Sequence, residues 1–391
     1  MDETPKKKNL PRRLIAAVCS AALVLGAVAL VLYRDELNLD ALKRYISYRS
    51  LTTSESGQAT SFPYDGGIHN AFASLSGSLL VAGESGIRLY APTGTLLAEE
   101  TLPMSNPVVC STGEYAVVYD AGGTALRLYN GTRQLLSEEC EGAILSARLN
   151  PSGALAVTHQ ASGRKGSVSV YDSKQNKKMQ FNFSSRFVMD ALLSADGSRV
   201  GIVTLGQEGA SFSSYLSVYL LNNALSSGTH YDQTAEHERT LGSSVVLACK
   251  TDEGRFWMVG DNAMLTCGED GNHLTQYDYS NRYLKEFSLD GDGFATLLLG
   301  KYRAGSAAEL VVLSKDGEET ASLPLNEQVL SLSAGGRYIA VLTADRLDIY
   351  TQDLKLYSSL EGSSGARRVL MRPDGTAMLI GSETAHLYLP D

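Results

Sequence analysis

Apolar and polar residues alternate in short runs along most of this chain, and the runs recur. Ile87-Arg88-Leu89-Tyr90 is echoed by Leu126-Arg127-Leu128-Tyr129, and again by Val168-Ser169-Val170-Tyr171, Leu216-Ser217-Val218-Tyr219 and Leu347-Asp348-Ile349-Tyr350. Leu310 to Leu313 and Ala385 to Tyr388 are weaker copies, and the run ending at Cys267 is the weakest. A period of two places alternate side chains on opposite faces of a strand, so each run predicts a strand with one face buried. About a dozen residues before each run lies a turn carrying glycine, at Gly77, Gly113, Gly153, Gly197, Gly254, Gly293, Gly336 and Gly375. Successive glycines are 36, 40, 44, 57, 39, 43 and 39 residues apart.

A unit near forty residues with four short strands is the repeat of a β-propeller blade. The predicted order within a blade is strand A, glycine turn, strand B, connection, strand C with its tyrosine, turn, strand D. Nothing helical recurs in the units, which disfavours a solenoid of the same period. The expected fold class is therefore all-β, a propeller of eight blades, with seven left open if one weak unit is irregular. The last unit ends at Asp391 before a fourth strand, and Gln58 to Gly67, ahead of the first blade, is expected to supply it. Closing the ring in this way removes an open sheet edge. The tyrosines then serve blade-to-blade packing. Asp196-Gly197 and Asp374-Gly375 are expected to provide the pair of positive φ angles of a tight hairpin.

The start of the chain breaks the alternation. Residues 14–33 form a twenty-residue run without a charge, long enough as a helix to cross a hydrocarbon core of about 30 Å. A cleaved signal peptide usually has a shorter apolar stretch, and no small-x-small site follows before Tyr33. A lipoprotein reading at Cys19 meets bulky Val18 before the cysteine and more apolar sequence after it. The expectation is a retained single span with a cytoplasmic basic tail (1–13), a juxtamembrane helix and linker (34–57), and an extracytoplasmic propeller (58–391). Leu39, Leu42 and Ile46 would share one face of the juxtamembrane helix.

Charge agrees with this orientation. The first thirteen residues carry a net of +3, so the rest holds −12 of the formal −9. Basic residues stay on the cytoplasmic side, and an acidic body excludes binding driven by phosphate neutralisation, so no nucleic-acid partner is expected. Five cysteines without a C-x-x-C pair suggest buried thiols, a bridge between two of them remaining open.

Because strands alternate in direction, A–B and C–D turns fall on one face of the disc and B–C and D–A connections on the other. The long connections are assigned to the second face. They contain Arg164 and Lys165, Glu208, Tyr302 and Arg303, and a segment between blades 4 and 5 with His230, Tyr231 and His237. Long loops on a rigid scaffold are where binding residues concentrate, so these eight are the candidate binding residues. His230, Asp232 and His237 match no metal-ligand spacing, and no metal or cofactor is expected. Asp290 to Gly293 lacks the later ligands of a calcium loop and is read as a blade turn. The D-x-G-x-x-W at Asp252 to Trp257 places its glycine in an A–B turn, away from the position of that box in sialidase-like propellers. Asn130 and Asn182 stand in glycosylation sequons. No hydrolase elbow, zincin or phosphate-loop motif occurs.

In spacing, glycine turns and tyrosine-ended strands, residues 60–391 resemble WD-repeat-like and quinoprotein-like propellers, without the G-H and W-D pairs and with one tryptophan in the chain. The sequence of basic tail, single span and extracytoplasmic propeller resembles membrane-anchored propeller families of unknown function in Gram-positive bacteria. That resemblance implies a surface protein and carries over no functional residue. The leading expectation is a non-catalytic binding or scaffold module for a protein or cell-envelope polymer. The alternative is an extracytoplasmic glycan hydrolase or lyase using acids of the central funnel; a signalling sensor is weaker, because thirteen cytoplasmic residues leave little room for an output.

Overall fold

The computed structural model describes residues 19–21, 24, 39–49, 51–65, 67–209, 211–221, 228–231, 234–363 and 365–390. Most of the expected span at 14–33 lies outside these; residues 19–21 and 24 are helical. Among the described residues no helix is long and apolar enough to cross a membrane. The chain divides into Met1–Ser50 and Leu51–Asp391. In the first unit, the helix anticipated after the apolar run spans Leu39–Tyr48, with Asp40 in its first turn suiting the helix dipole.

The second unit is an eight-bladed β-propeller. Each blade is an antiparallel sheet, and the eight predicted glycine turns all join strand A to strand B. All eight glycines have φ between +58° and +90°. Asp196 and Asp374 do not share that conformation, so the expected paired positive angles are absent. Instead Gly197 donates its N–H to Ser194 O (2.9 Å) and Gly375 to Arg372 O (3.0 Å), closing a four-residue turn whose last residue is left-handed. The Asp196 carboxylate accepts from Ser194 Oγ (2.6 Å) and Ser198 N (2.9 Å). Those donors hold its pKa down to about 2.

The tyrosines answer to packing. Tyr129 of blade 2 lies in a core with Leu80, Ile87 and Leu89 of blade 1, Tyr171 of blade 3 with Leu126 and Leu128 of blade 2, and Tyr219 of blade 4 with Val168 and Phe181 of blade 3. Each closes the space between two sheets at the edge where strand C turns into strand D. In blade 1 the partner is Phe62, its ring 5.9 Å from that of Tyr90. Phe62 belongs to the segment expected to complete the ring, and it does so. Phe62–Pro63 pairs antiparallel with Thr384 and Ala385, Ala59 N donates to Leu387 O (2.8 Å), and Tyr64 Oη donates to Gly381 O (2.6 Å).

One connection departs from expectation. The long segment after Leu220 is not a link between blades 4 and 5. It joins strands C and D within blade 4: His237–Gly242 is that blade's outer strand, pairing with Ser211–Leu220. On the way, Gly228–Tyr231 runs parallel to Lys177–Phe183 as a fifth strand on the edge of blade 3. The excursion therefore leaves from the face of the glycine turns, opposite the face to which it was assigned. The physical reason is that a blade edge offers unpaired backbone groups, and this excursion satisfies those of Met179 to Asn182.

The five cysteines are free thiols, Cys249 and Cys267 buried, Cys110 and Cys140 half-buried and Cys19 exposed. Burial pushes the Cys140 and Cys267 thiols up to about 12. Asn182 is buried within its strand, which removes its sequon from the accessible surface.

Candidate binding face

Strand A of each blade is innermost, and the first strands of neighbouring blades pack on each other around the axis. Strand A starts on the face of the B–C and D–A connections, here the loop face, and ends on the face of the A–B and C–D turns, here the turn face. In blades 3 to 6, and only there among the described blades, strand A carries a β-bulge at its second or third residue. The extra residues are Leu145, Met189, Leu247 and Lys285. A bulge breaks the two-residue alternation and re-aims one side chain. Leu145 and Leu247 are 42% and 55% exposed although Leu145 is flanked by buried Ile144 and Ser146 and Leu247 follows buried Val246.

They have company. The exposed large apolar residues of the propeller, among the described residues, are Ile68, Leu145, Phe187, Phe212, Leu247, Tyr283, Tyr302 and Leu330 on the loop face, and Leu96, Leu97 and Leu356 where outermost strands leave the turn face. None lies in a described A–B or C–D turn. Scattered exposed leucines are ordinary, whereas a grouped set marks an interaction site.

A cavity of about 700 Å³ opens among these residues, where the innermost strands of blades 5 and 6 pack less closely than those of blades 6 and 7. Leu247, Tyr283, Leu284, Leu298 and Val329 form apolar walls, and Asp261, Lys285, Glu286, Arg303 and Gln328 add polar groups. Arg303 lies over the Tyr283 ring at 5.5 Å, and Lys285 Nζ donates to Gly305 O. Burial raises the Glu286 carboxyl above its ordinary range, opposed by the Leu332 N–H and by Arg368. Asp261 is committed to the connection that enters strand A of its blade, accepting from Val245 N at 2.8 Å.

Deeper along the axis, Asp190 of blade 4 accepts from Ser146 Oγ (2.6 Å), Arg148 Nε (2.9 Å) and Ala191 N (2.9 Å). Burial opposes the Arg148 charge, and Asp190 more than restores it, so the guanidinium stays protonated. These bonds make Asp190 a clamp between blades 3 and 4. His159 is likewise occupied, by Ser169 Oγ at 2.9 Å and Gln160 O at 3.0 Å. No group of three His, Cys, Asp or Glu able to hold a metal occurs among the described residues.

Of the eight residues singled out from sequence, five lie on the loop face. Arg164 donates to Ser184 Oγ (2.5 Å), and Lys165 sits 4.8 Å over the Phe187 ring. Glu208 ends strand B of blade 4, which with Ser211–Leu220 forms a long hairpin rather than the loop expected there. Tyr302 is 62% exposed, and Arg303 lines the cavity. His237 is on the outer strand of blade 4, opposite Val218 and near Asp270 toward the turn face. The backbone of His230 and Tyr231 follows the edge of blade 3, their side chains lying outside the described residues. The expected set is thus split. The residues that sequence reasoning missed are Leu145, Phe187, Leu247, Tyr283, Lys285 and Glu286; their one signal is a doubled apolar pair such as Ile144-Leu145 or Val246-Leu247, where strict alternation would place a polar residue.

The fold is shared with known propellers at low identity. The C-terminal WD40 domain of Sif2 superposes with a TM-score of 0.58 at 14% identity, covering 84% of this chain and 97% of that one. The WD40 repeats of RRP9 give 0.50 at 8%, covering 87% and 100%. These likenesses show architecture alone. A comparison with curated proteins finds no match. The pattern of the family of unknown function DUF5711 matches residues 42–382, and this chain belongs to that family.

Proposed function

We propose that this protein is a single-pass membrane protein whose propeller stands outside the cell as a non-catalytic binding or scaffold module. Its loop face docks a protein or an envelope polymer. The observation that supports the binding role is the uneven distribution of exposed large apolar side chains: eight on the loop face, against Leu96, Leu97 and Leu356 where outer strands begin at the other. The uncharged run of residues 14–33 and the basic tail before it support the anchor and its orientation.

The test is crosslinking in intact cells followed by purification through the anchor. The wild-type chain is compared with Phe187→Ser/Leu247→Ser/Tyr302→Ser on the loop face and with Lys174→Ser/Asp316→Ser on the turn face. Loss of captured partners in the first variant only is expected; equal capture by all three contradicts the reading. Protease added to intact cells should degrade the propeller, and a protected propeller contradicts the topology.

An enzymatic reading has one observation in its favour, the half-buried Glu286 beside Arg303 and Tyr283 in the cavity. Glycoside hydrolysis uses two carboxyl groups flanking the bond, and the other carboxylate of the cavity, Asp261, is held by a backbone N–H. Turnover of a glycan panel that disappears in Glu286→Gln would favour catalysis.

A further inference from the structure

The charges at the loop-face mouth are arranged unlike those of the chain as a whole. Some of its carboxylates are engaged: Asp65 with Arg88 at 2.7 Å, Glu84 with His69 at 2.9 Å, Glu238 with Arg186 at 3.1 Å and Glu327 with Arg346 at 3.1 Å; Glu141, Glu286, Asp345, Glu361 and Glu383 have no ion pair among the described residues. Four of its cations stand outside these pairs. Lys165, Lys285, Arg303 and Arg368 have no ion pair among the described residues. Two of the four lie on aromatic faces, Lys165 over Phe187 and Arg303 over Tyr283. Stacking holds each charge at the rim beside an exposed apolar surface. In a protein of formal charge −9, the part of this opening formed by blades 3 to 6 carries the cations Lys165, Lys285, Lys301 and Arg303 without an ion pair among the described residues, beside the carboxylates Glu141 and Glu286.

We infer that the mouth spanning blades 3 to 6 binds an acidic peptide segment with apolar anchor residues, contributed by a partner protein. This inference rests on the loop-face binding role and names the partner's chemistry. The anchors fill the cavity between Leu247, Tyr283 and Val329, whose volume is in the range of pockets that enclose compact ligand groups. The acids meet Arg303, Lys285 and Lys165 at the rim. Glu286, at the cavity wall, repels a carboxylate that enters deeply and accepts a hydrogen bond from a peptide N–H. A purely anionic polymer satisfies the cations but leaves Leu145, Phe187 and Leu247 in water. A neutral apolar segment covers the leucines and desolvates the cations without repayment. Only the combination matches both sets of groups, the arrangement that gives charge-steered interfaces their specificity.

The experiment is selection from a random dodecapeptide display library on the detergent-solubilised full chain, followed by fluorescence anisotropy with the selected peptides. Enrichment of Asp or Glu next to Leu, Phe or Tyr is expected. Arg303→Glu and Lys165→Glu, both at exposed positions, should each weaken binding about tenfold or more with unchanged melting, and Lys174→Glu on the turn face should leave it unchanged. Affinity should fall as salt is added. No enrichment, enrichment without acids, or affinities indifferent to Arg303 and Lys165 would overturn the inference. Displacement of the peptides by polyphosphate at equal charge concentration would also overturn it, in favour of an anionic polymer. If the library fails while loop-face capture in cells persists, the acidic peptide falls and the binding role stands.

Discussion

The two faces of this propeller are built from the same strands and differ in what their ends carry. The turn face is written in short Asn-, Asp- and Gly-containing turns whose polar groups are spent on each other. Asn150 shows the economy of it: buried, it accepts from Ser152 N (3.1 Å) and Ala154 N (2.9 Å) and donates to Ser194 O of the next blade (2.9 Å). Carboxylates crowd there, among them Glu253, Asp290, Asp292, Asp316 and Glu318, and exposed large apolar side chains are missing from its described turns. The loop face instead leaves eight large apolar groups in water, with Lys165 and Arg303 lying over the rings of Phe187 and Tyr283 among them. One end of the disc is finished as a solvated surface; the other is unfinished until something covers it.

If that contrast is right, substitutions on the turn face should act on stability and those on the loop face on binding. The largest stability effect is expected at Gly336, where φ is +58° and an added Cβ would lie 2.8 Å from Pro373 Cα. Gly336→Val should cost about 3 kcal/mol, the upper range for a strained left-handed residue, with ligand capture unchanged per folded molecule. The matched control is Gly305 on the loop face, φ +107° with nothing within 4 Å of the added carbon; Gly305→Val should cost about 1 kcal/mol. Equal losses in denaturant melts would break the comparison. Next comes Asn150→Ala, which strands buried N–H and C=O groups of two blades and should cost about 2 kcal/mol. Phe187→Ser/Leu247→Ser should move stability by no more than about 0.5 kcal/mol, as expected at exposed sites, while partner capture falls about tenfold.

The smallest effect is a pH dependence on the closing blade. Burial lowers the His386 pKa below its ordinary 6.5, and its Nε2 has no hydrogen-bond partner among the described residues. The unfolded chain then takes up the proton more readily than the folded one. Stability is complete above about pH 6.5 and is lost as pH falls through the lowered value. His386→Leu should flatten thermal melts across that window. An unchanged slope would show that the imidazole titrates without cost in the fold.

Much of the scaffold was legible because it is said eight times. A glycine turn sets each blade and a tyrosine-ended strand six of the eight, and the missing fourth strand after Tyr388 pointed back to the segment around Phe62. What escaped was whatever occurs once. The excursion through Gly228–Tyr231 looks like any polar connection, and only the open edge at Met179 to Asn182 explains its course. The long hairpin ending at Glu208 reads as a loop because its alternation is diluted by glycine and serine. The candidate site was half legible: Tyr302 and Arg303 announce themselves in a loop, whereas Leu145 and Leu247 sit in strand sequence that reads as core. A bulge changes which face a residue occupies without changing its composition, so hydrophobicity alone assigns it to the wrong side.

The most direct measurement is position-specific photo-crosslinking in living cells, with the crosslinking residue placed in turn at Phe187 and Tyr302 on the loop face and at Lys174 and Asp316 on the turn face. Discrete adducts are expected from Phe187 and Tyr302 and none from Lys174 or Asp316. Adducts confined to Lys174 and Asp316, or equal from all four, would contradict the loop-face binding role.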